Sequence, residues 1–480
     1  MRRYHDNSLL YIHAYTVLKK QIQSGELIAG TKLLSKRLMA EASGTSINTV
    51  DSAYQQLVSE GYLEARPRSG YFVADLGPMA QLPKDMPDSV ESAPSRYIIP
   101  SFEGAQQTRK EEQIDFSPNA IDLQSFPHAK FKKHVRDCME LSPQVLFASC
   151  DATGTVALRN SLCRYLRSSR GLNCHPGQIL IGSGTDFILQ LLIQVIRSVS
   201  KIHAIAMENP LYNKAFQIFS GFDIPVRLIP VEANGLRTDI LQKSDANLIY
   251  LTPSHQFPLG FILPINKRTE ILSWATEVSN RYIIEDDYDS EFRYTGRPIP
   301  AISESDNRGR VIYLGTFSKS LAPSIRISYL VLPEQLMAAF QNNLSFYTTT
   351  VSTPDQLILS HFIDSGEFER HIGRMRTLYR KKRDILLNAL AIYRERLMIR
   401  GTDAGLHLIL RVNNGMTEEE LCSEASRFGV CVYGISSYYV RSEALKAAET
   451  PKSTVIVGYA GLTNEEIQRG VSLLAKAWRL

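Results

Sequence analysis

One lysine in this 480-residue chain sits where it could do more than carry charge. Lys319 stands just past the apolar run Val311–Leu314, inside the hydroxyl-rich string Thr316-Phe317-Ser318-Lys319-Ser320, and Arg326 follows seven residues on. A second apolar run, Tyr282–Ile284, ends in Glu285, Asp286, Asp287 and Tyr288, which are carboxylates and a phenol. A third, Ile179–Ile181, leads into Gly182-Ser183-Gly184-Thr185, a turn whose backbone N–H groups suit a phosphate. A fourth, His203–Met207, is followed by Glu208-Asn209-Pro210-Leu211-Tyr212 and so offers a ring at its end. These groups are an amine for a Schiff base, a carboxylate to keep a pyridinium charged, a phenol, a ring to stack on and a phosphate cup. Pyridoxal 5′-phosphate (PLP) requires that set.

Such groups work only if a scaffold gathers them. Short apolar runs between amphipathic stretches predict buried parallel strands with crossover helices. Sites in open α/β sheets collect at the carboxyl ends of the strands. Residues 113–480 are therefore expected to form an α/β domain with a mainly parallel central sheet. The part from about residue 375, with strands Leu406–Val412 and Thr454–Tyr459, is expected to be a smaller α+β subdomain. Residues 76–112, with Pro78, Pro83, Pro87, Pro94 and Pro100 among polar residues, predict a linker.

Residues 8–75 predict a separate unit. Leu10, Ala14, Val17, Leu18 and Ile22 give helical spacing. Ser35 can cap a second helix holding Leu38, Met39 and Ala42, and Thr45 or Ser46 a third over Ile47–Glu60. Two short strands, Tyr62–Ala65 and Tyr71–Val73, flank the basic turn Arg66–Gly70. This is a winged helix-turn-helix, and its chemistry suits double-stranded DNA. Ser46, Asn48 and Thr49 open the helix that would enter a major groove. Arg66 and Arg68 on the turn, with Lys36 and Arg37 on the preceding helix, would meet phosphates or a minor groove.

Composition restricts the remaining possibilities. The net charge is +5, from 54 Lys and Arg against 49 Asp and Glu, too dilute to indicate a partner by itself. A chain 44% hydrophobic and 21% charged is not disordered, collagen-like or a membrane bundle. Without an apolar stretch of ~20 residues or a signal-peptide core, the expected location is the cytoplasm, with no membrane partner. The six cysteines form no C-x-x-C pair, so reduced, buried thiols and no metal are expected.

The N-terminal strings Ser24–Gly30, Ser46–Val50 and Glu60–Val73 resemble the GntR family of bacterial regulators. One departure is Ile47, where the family usually has arginine. The large domain resembles fold-type I aminotransferases. The combination resembles the MocR subfamily, carried by Glu285–Tyr294, Gly315–Ser320 and Thr252–Pro258. That resemblance implies that Lys319 forms the Schiff base (aldimine) with PLP, that Asp286 pairs the pyridine nitrogen and that Tyr288 bonds O3′. Tyr212 would stack, and Ser183, Gly184, Thr185, Thr316, Ser318 and Arg326 would hold the phosphate. Where related enzymes place an asparagine against O3′, this chain has Phe257, with His255 and Gln256 before it. Ile456 takes the slot of the arginine that clamps a substrate carboxylate. Arg411 and Lys214 are possible substitutes. Ser149, Cys150 and Ala152 depart from a segment that reaches the partner's cofactor in such enzymes. The resemblance further implies a head-to-tail homodimer and a regulator that senses PLP, an amine or an amino acid. The alternative is an aminotransferase carrying a DNA-binding appendage. Ile456 weighs against it, leaving at most a half-reaction.

Overall fold

The computed structural model describes residues 14–22, 24–75, 113–232, 235–294, 299–440 and 452–480. It divides into two compact units, Met1–Glu103 and Gly104–Leu480. The expected linker 76–112 lies outside the described residues, as does Leu10.

The first unit has a helix α1 at 14–22, α2 (Lys36–Ser43), α3 (Ile47–Ser59), and strands β1 (Leu63–Arg66) and β2 (Gly70–Val73) paired antiparallel. Ser35 caps α2 by accepting from the Leu38 N–H at 3.3 Å. Gly44, at φ 62°, ends α2 in the left-handed region that glycine tolerates. The core is Leu18, Ile22, Ala40, Val50, Tyr54, Leu57, Leu63 and Val73. As expected, Ser35 caps a helix holding Leu38, Met39 and Ala42; within it Ala40 is buried, whereas Leu38 is 53% exposed and Ala42 is exposed. Val17 also faces outward.

In the second unit, α4 (Val156–Arg170) precedes an eight-stranded sheet. Its members are β3 (Ile179–Gly182), β4 (Ile205–Asn209), β5 (Val226–Glu232), β6 (Gly235–Leu236), β7 (Leu248–Leu251), β8 (Tyr282–Asp287), β9 (Val311–Thr316) and β10 (Ser328–Val331). Helix α5 (Gly184–Val199) follows β3 directly. The spatial order is β3-β10-β9-β8-β7-β4-β5-β6. The five strands β9, β8, β7, β4 and β5 pair parallel. β10 runs antiparallel between β9 and β3, so the predicted strand Ile179–Ile181 joins the sheet through a strand that periodicity does not reveal. β4, β7, β8 and β9 are buried nearly throughout, which is why they show in sequence as apolar runs, whereas β5 buries only Ile229.

The smaller sheet packs under α6 (Glu367–Leu390). It contains β11 (Leu397–Arg400), β12 (His407–Val412), β13 (Tyr433–Gly434) and β14 (Thr454–Gly458), in the order β11-β12-β14-β13. Its core also takes residues from far up the chain. Ile114–Asp115 pairs parallel with Val430–Cys431, and Ile114, Phe116 and Ile121 are buried in the same cluster. Of the cysteines, Cys138, Cys163 and Cys174 are buried, whereas Cys150, Cys422 and Cys431 are only half-buried; all six are free. Among the described residues no helix is long and apolar enough to cross a membrane.

Candidate cofactor cavity and nucleic-acid interface

The carboxyl ends of β4, β7, β8 and β9 deliver Tyr212, His255, Asp286, Tyr288 and Lys319 to one side of the sheet. Register explains the convergence: Leu314 on β9 stands opposite Asp286 on β8, and Ile284 opposite Tyr250 on β7. The chain therefore leaves all three strands at nearly one level.

Asp286 is buried, and the Tyr250 hydroxyl donates to its Oδ2. Its Oδ1 is buried with no partner. Burial pushes this carboxyl up from the usual 3.8 to about 7, with the Tyr250 hydrogen bond opposing and Asp287 and Asp289 adding to the rise. Lys319 is half-buried, and its Nζ donates to the backbone carbonyls of Asn119 at 3.0 Å and Pro118 at 3.3 Å. Burial pushes the amine down to about 8, with Asp289 pulling it back up. An amine in that range is partly neutral, and therefore nucleophilic, near neutral pH.

The Tyr288 hydroxyl lies 2.8 Å from His255 Nδ1, which is also 2.9 Å from Asp289 Oδ2. Burial pushes the phenol well above its usual range. His255 and Gln256 are both fully buried beside it. Gln256 donates to the Pro210 carbonyl at 3.0 Å and accepts from the Leu259 N–H at 3.0 Å, tying the β4 and β7 loops together. Tyr212 meets Phe257 edge-on at 6.0 Å between ring centroids.

Gly184 begins α5 at φ 76°, and a Cβ there would lie 2.3 Å from Arg326 Nη2. Glycine is what lets the Arg326 guanidinium approach the helix start. Arg326 itself is in the left-handed region at φ 52° and donates to Asp186 Oδ2 at 3.2 Å. Lys214 is 3.6 Å from the same oxygen. The Ser183 N–H donates to Thr350 Oγ1 at 2.8 Å, and Thr185 lies half-buried on the first turn. Thr316 Oγ1 accepts from the Ser328 hydroxyl at 2.9 Å and the Ser318 N–H at 3.3 Å. This is an anion cradle of helix N-terminus, guanidinium and hydroxyls. The unpartnered Asp286 oxygen and this cradle fit the two ends of PLP, its pyridine nitrogen and its phosphate.

Several contributors escape a reading of the sequence. Tyr250 has a cue, as a phenol inside an otherwise aliphatic strand. Asp186 sits in the first turn of α5, where a carboxylate is common. Pro118 and Asn119 come from 200 residues away and act through carbonyls, which no side-chain pattern encodes. Beneath Asp286, Arg170 at the end of α4 pairs with Asp287 at 2.7 Å, with side chains 5% and 1% exposed. Arg411 is exposed on β12.

On the first unit, Ser46 Oγ accepts from the Thr49 N–H at 3.1 Å and lies 2.8 Å from Thr49 Oγ1. Thr49 is buried, so this pair fixes the start of α3, while Ile47 and Asn48 are exposed beside it. Lys36 pairs with Asp51 and lies over the Tyr71 ring at 5.2 Å. Arg37 is exposed with Glu41 at 3.5 Å, and Arg66 lies over Phe72 at 4.5 Å and donates to Glu64 at 3.1 Å. Arg68 stands at the wing tip, exposed at φ 60°. Ser46→Ala is expected to lower the stability of this unit by about 1 kcal/mol through the lost cap, measured by its thermal transition. Asn48→Ala should leave that transition in place and weaken DNA binding in a mobility-shift titration.

Residues 111–474 match the family described as Aminotransferase class I and II, and residues 10–73 match Bacterial regulatory proteins, gntR family. The chain is 38% identical to the Uncharacterized HTH-type transcriptional regulator YhdI of Bacillus subtilis, over 98% of this chain and 96% of that protein. It is 33% identical to the Probable rhizopine catabolism regulatory protein MocR of Rhizobium meliloti, over 97% of this chain and 92% of that protein. A solved archaeal alanine:glyoxylate aminotransferase superposes with a TM-score of 0.68 at 25% identity, over 78% of this chain and 92% of its own.

Proposed function

Because this chain belongs to the HTH-type transcriptional regulators that join a GntR-type head to an aminotransferase class I and II domain, with MocR among its relatives, we propose that its large unit binds PLP and reports a small ligand to the DNA-binding head. The observation that carries this reading is the buried Asp286 carboxyl, with one oxygen bound by Tyr250 and the other without a partner, on the same sheet edge as Lys319 and the Gly184–Arg326 cradle.

When bound, PLP supplies an aldehyde that condenses reversibly with primary amines. The residues around it have separate tasks. Asp286 holds a negative charge toward the pyridine nitrogen. Tyr288, oriented by His255 and Asp289, offers its hydroxyl to O3′. Tyr212 covers the ring, with Phe257 set edge-on behind it. Ser183, Gly184, Thr185, Thr316, Ser318 and Arg326 hold the phosphate, and Arg326 exchanges Asp186 for it. Lys319 presents an amine that burial keeps partly neutral. His255 and Gln256 position these groups.

Regulation requires a ligand (PLP, an amine or an amino acid) that binds two arrangements of the large unit unequally. The head engages a double-stranded operator in the cytoplasm through Asn48, Arg37, Arg66 and Arg68, with Ser46 and Thr49 setting the helix and Lys36 supporting the wing. The regulator works as a head-to-tail homodimer. Phe147 and Phe346, 72% and 73% exposed on the large unit, support a second copy there. A turnover aminotransferase is disfavoured because Ile456, in the carboxylate-clamp slot, is buried among apolar neighbours.

The test compares operator affinity for PLP-free, PLP-loaded and Lys319→Ala protein. Loaded protein is expected to differ from the other two, and three identical binding curves overturn the proposal.

A further inference from the structure

We infer that the ligand this site recognises beside its cofactor is a primary amine with an apolar chain and no carboxylate on the carbon bearing the nitrogen. The inference rests on the preceding reading that Lys319 and Asp286 hold PLP.

Ile456 is fully buried, and it stands opposite Ile409 in the β12–β14 pairing. With Ile435 these residues form one apolar cluster that Leu259 and Tyr438 extend, while Val455 and Val457 on the other face of β14 enter the subdomain core. The Tyr438 ring meets Phe257 at 5.2 Å, and Phe257 meets Tyr288 at 5.8 Å and Tyr212 at 6.0 Å, all edge-on. The apolar wall is therefore continuous from Ile456 to the two tyrosines that flank the cofactor position.

Of the cations that could replace the missing clamp, all but Arg293 are committed elsewhere or exposed, Lys214 facing Asp186 at 3.6 Å. His407 Nε2 bonds the Pro258 carbonyl at 2.8 Å, and burial pushes the ring down to about 4, so it is neutral. Arg383 bonds the Thr402 carbonyl at 2.9 Å and pairs with Asp384 at 2.6 Å. Arg326 belongs to the phosphate cradle, and Arg411 is exposed. Arg293 is the exception among these, with Nε and Nη1 buried and unpartnered. A carboxylate placed against Ile456 would lose its hydration and meet only apolar side chains of that cluster, a large penalty that an amine without one avoids.

The experiment uses the full-length chain. PLP uptake is first measured by calorimetry on PLP-free protein. The loaded protein is then titrated with n-pentylamine and with norleucine, which is the same chain with a carboxylate added. Pentylamine is expected to bind at least about tenfold more tightly, and Ile456→Arg should narrow or reverse that ratio. Norleucine binding equally or better, or neither ligand binding to loaded protein, overturns the inference. If norleucine wins and Arg293→Gln removes its advantage, Arg293 is the carboxylate partner and the ligand is an amino acid. The preference between the two ligands is measured on the unsubstituted protein, so it stands even if the Ile456→Arg chain does not fold. Failure to take up PLP in the first step overturns the preceding reading and this one together. Uptake followed by a preference for norleucine overturns this one alone.

Discussion

Arg170→Ala is expected to destabilise the large unit by about 3–5 kcal/mol, because it leaves a buried carboxylate without its cation. Arg170 ends α4. From there its Nε reaches Asp287 at 2.7 Å, its Nη1 the Ile299 carbonyl at 2.6 Å and its Nη2 the Ser254 hydroxyl at 2.7 Å. Asp287 also accepts from the Tyr313 hydroxyl. One guanidinium therefore ties a helix end, a loop and the end of β8 together directly beneath Asp286. A loss of about 4 kcal/mol in a unit this large should lower its melting temperature by roughly 5 °C. The double variant Arg170→Met with Asp287→Leu should recover most of that loss, since both charges leave together. A single variant that melts like the parent protein would show that the ion pair contributes little. The damage should extend to PLP uptake, because Asp286 and Asp287 share one strand end.

The second large effect is a pH dependence. In PLP-free protein the Asp286 carboxyl is held near 7 by burial, against a usual 3.8. The folded chain thus binds this proton more tightly than the unfolded chain does. The associated stability is fully present below the unfolded value and is lost as pH rises through about 7. Raising a carboxyl this far corresponds to roughly 4 kcal/mol, as an order of magnitude. PLP-free protein should therefore melt at progressively lower temperature from pH 5 to pH 8. Asp286→Asn should flatten part of that slope, because a neutral amide keeps a partner for Tyr250 and has no proton to lose. Glu208 and Glu291, both held near 7 by burial, account for the slope that remains. In the parent protein the cofactor's pyridinium would meet the ionised carboxylate, so thermal stabilisation by PLP should grow as pH rises from 6 to 8. Asp286→Asn should abolish that growth. A PLP-induced shift that is independent of pH in the parent protein would contradict the assignment.

Much of this architecture is legible because buried parallel strands leave a strong trace. Leu248–Leu251 and Val311–Thr316 are buried along nearly their whole length and appear as uninterrupted apolar runs. Motif residues can be read with such runs, since Asp286 and Tyr288 closely follow Tyr282–Ile284 and Lys319 closely follows Val311–Thr316. β10 is invisible because its four residues, Ser328–Val331, carry a serine and a tyrosine and form only one short step of a sheet. The inner face of α2 is not read from the sequence because eight residues make barely two turns, too few for periodicity to single out Ala40. The DNA-side residues are identified by type, but capping separates them: Ser46 and Thr49 bond each other, and Asn48 stays exposed. The cavity's back layer, Tyr250, Arg170 and the Pro118–Asn119 carbonyls, depends on contacts across tens to hundreds of residues. Local pattern has no access to those.

The lysine amine is held by the carbonyls of Pro118 and Asn119. Two residues upstream, the Phe116 carbonyl accepts from the Gly458 N–H at 2.8 Å, and Ile114–Asp115 is stitched to Val430–Cys431. Residues 114–119 are therefore held both by the C-terminal subdomain and by the Lys319 amine. A group bound to that amine would take it from the Pro118 and Asn119 carbonyls and leave this stretch fastened to the C-terminal subdomain alone.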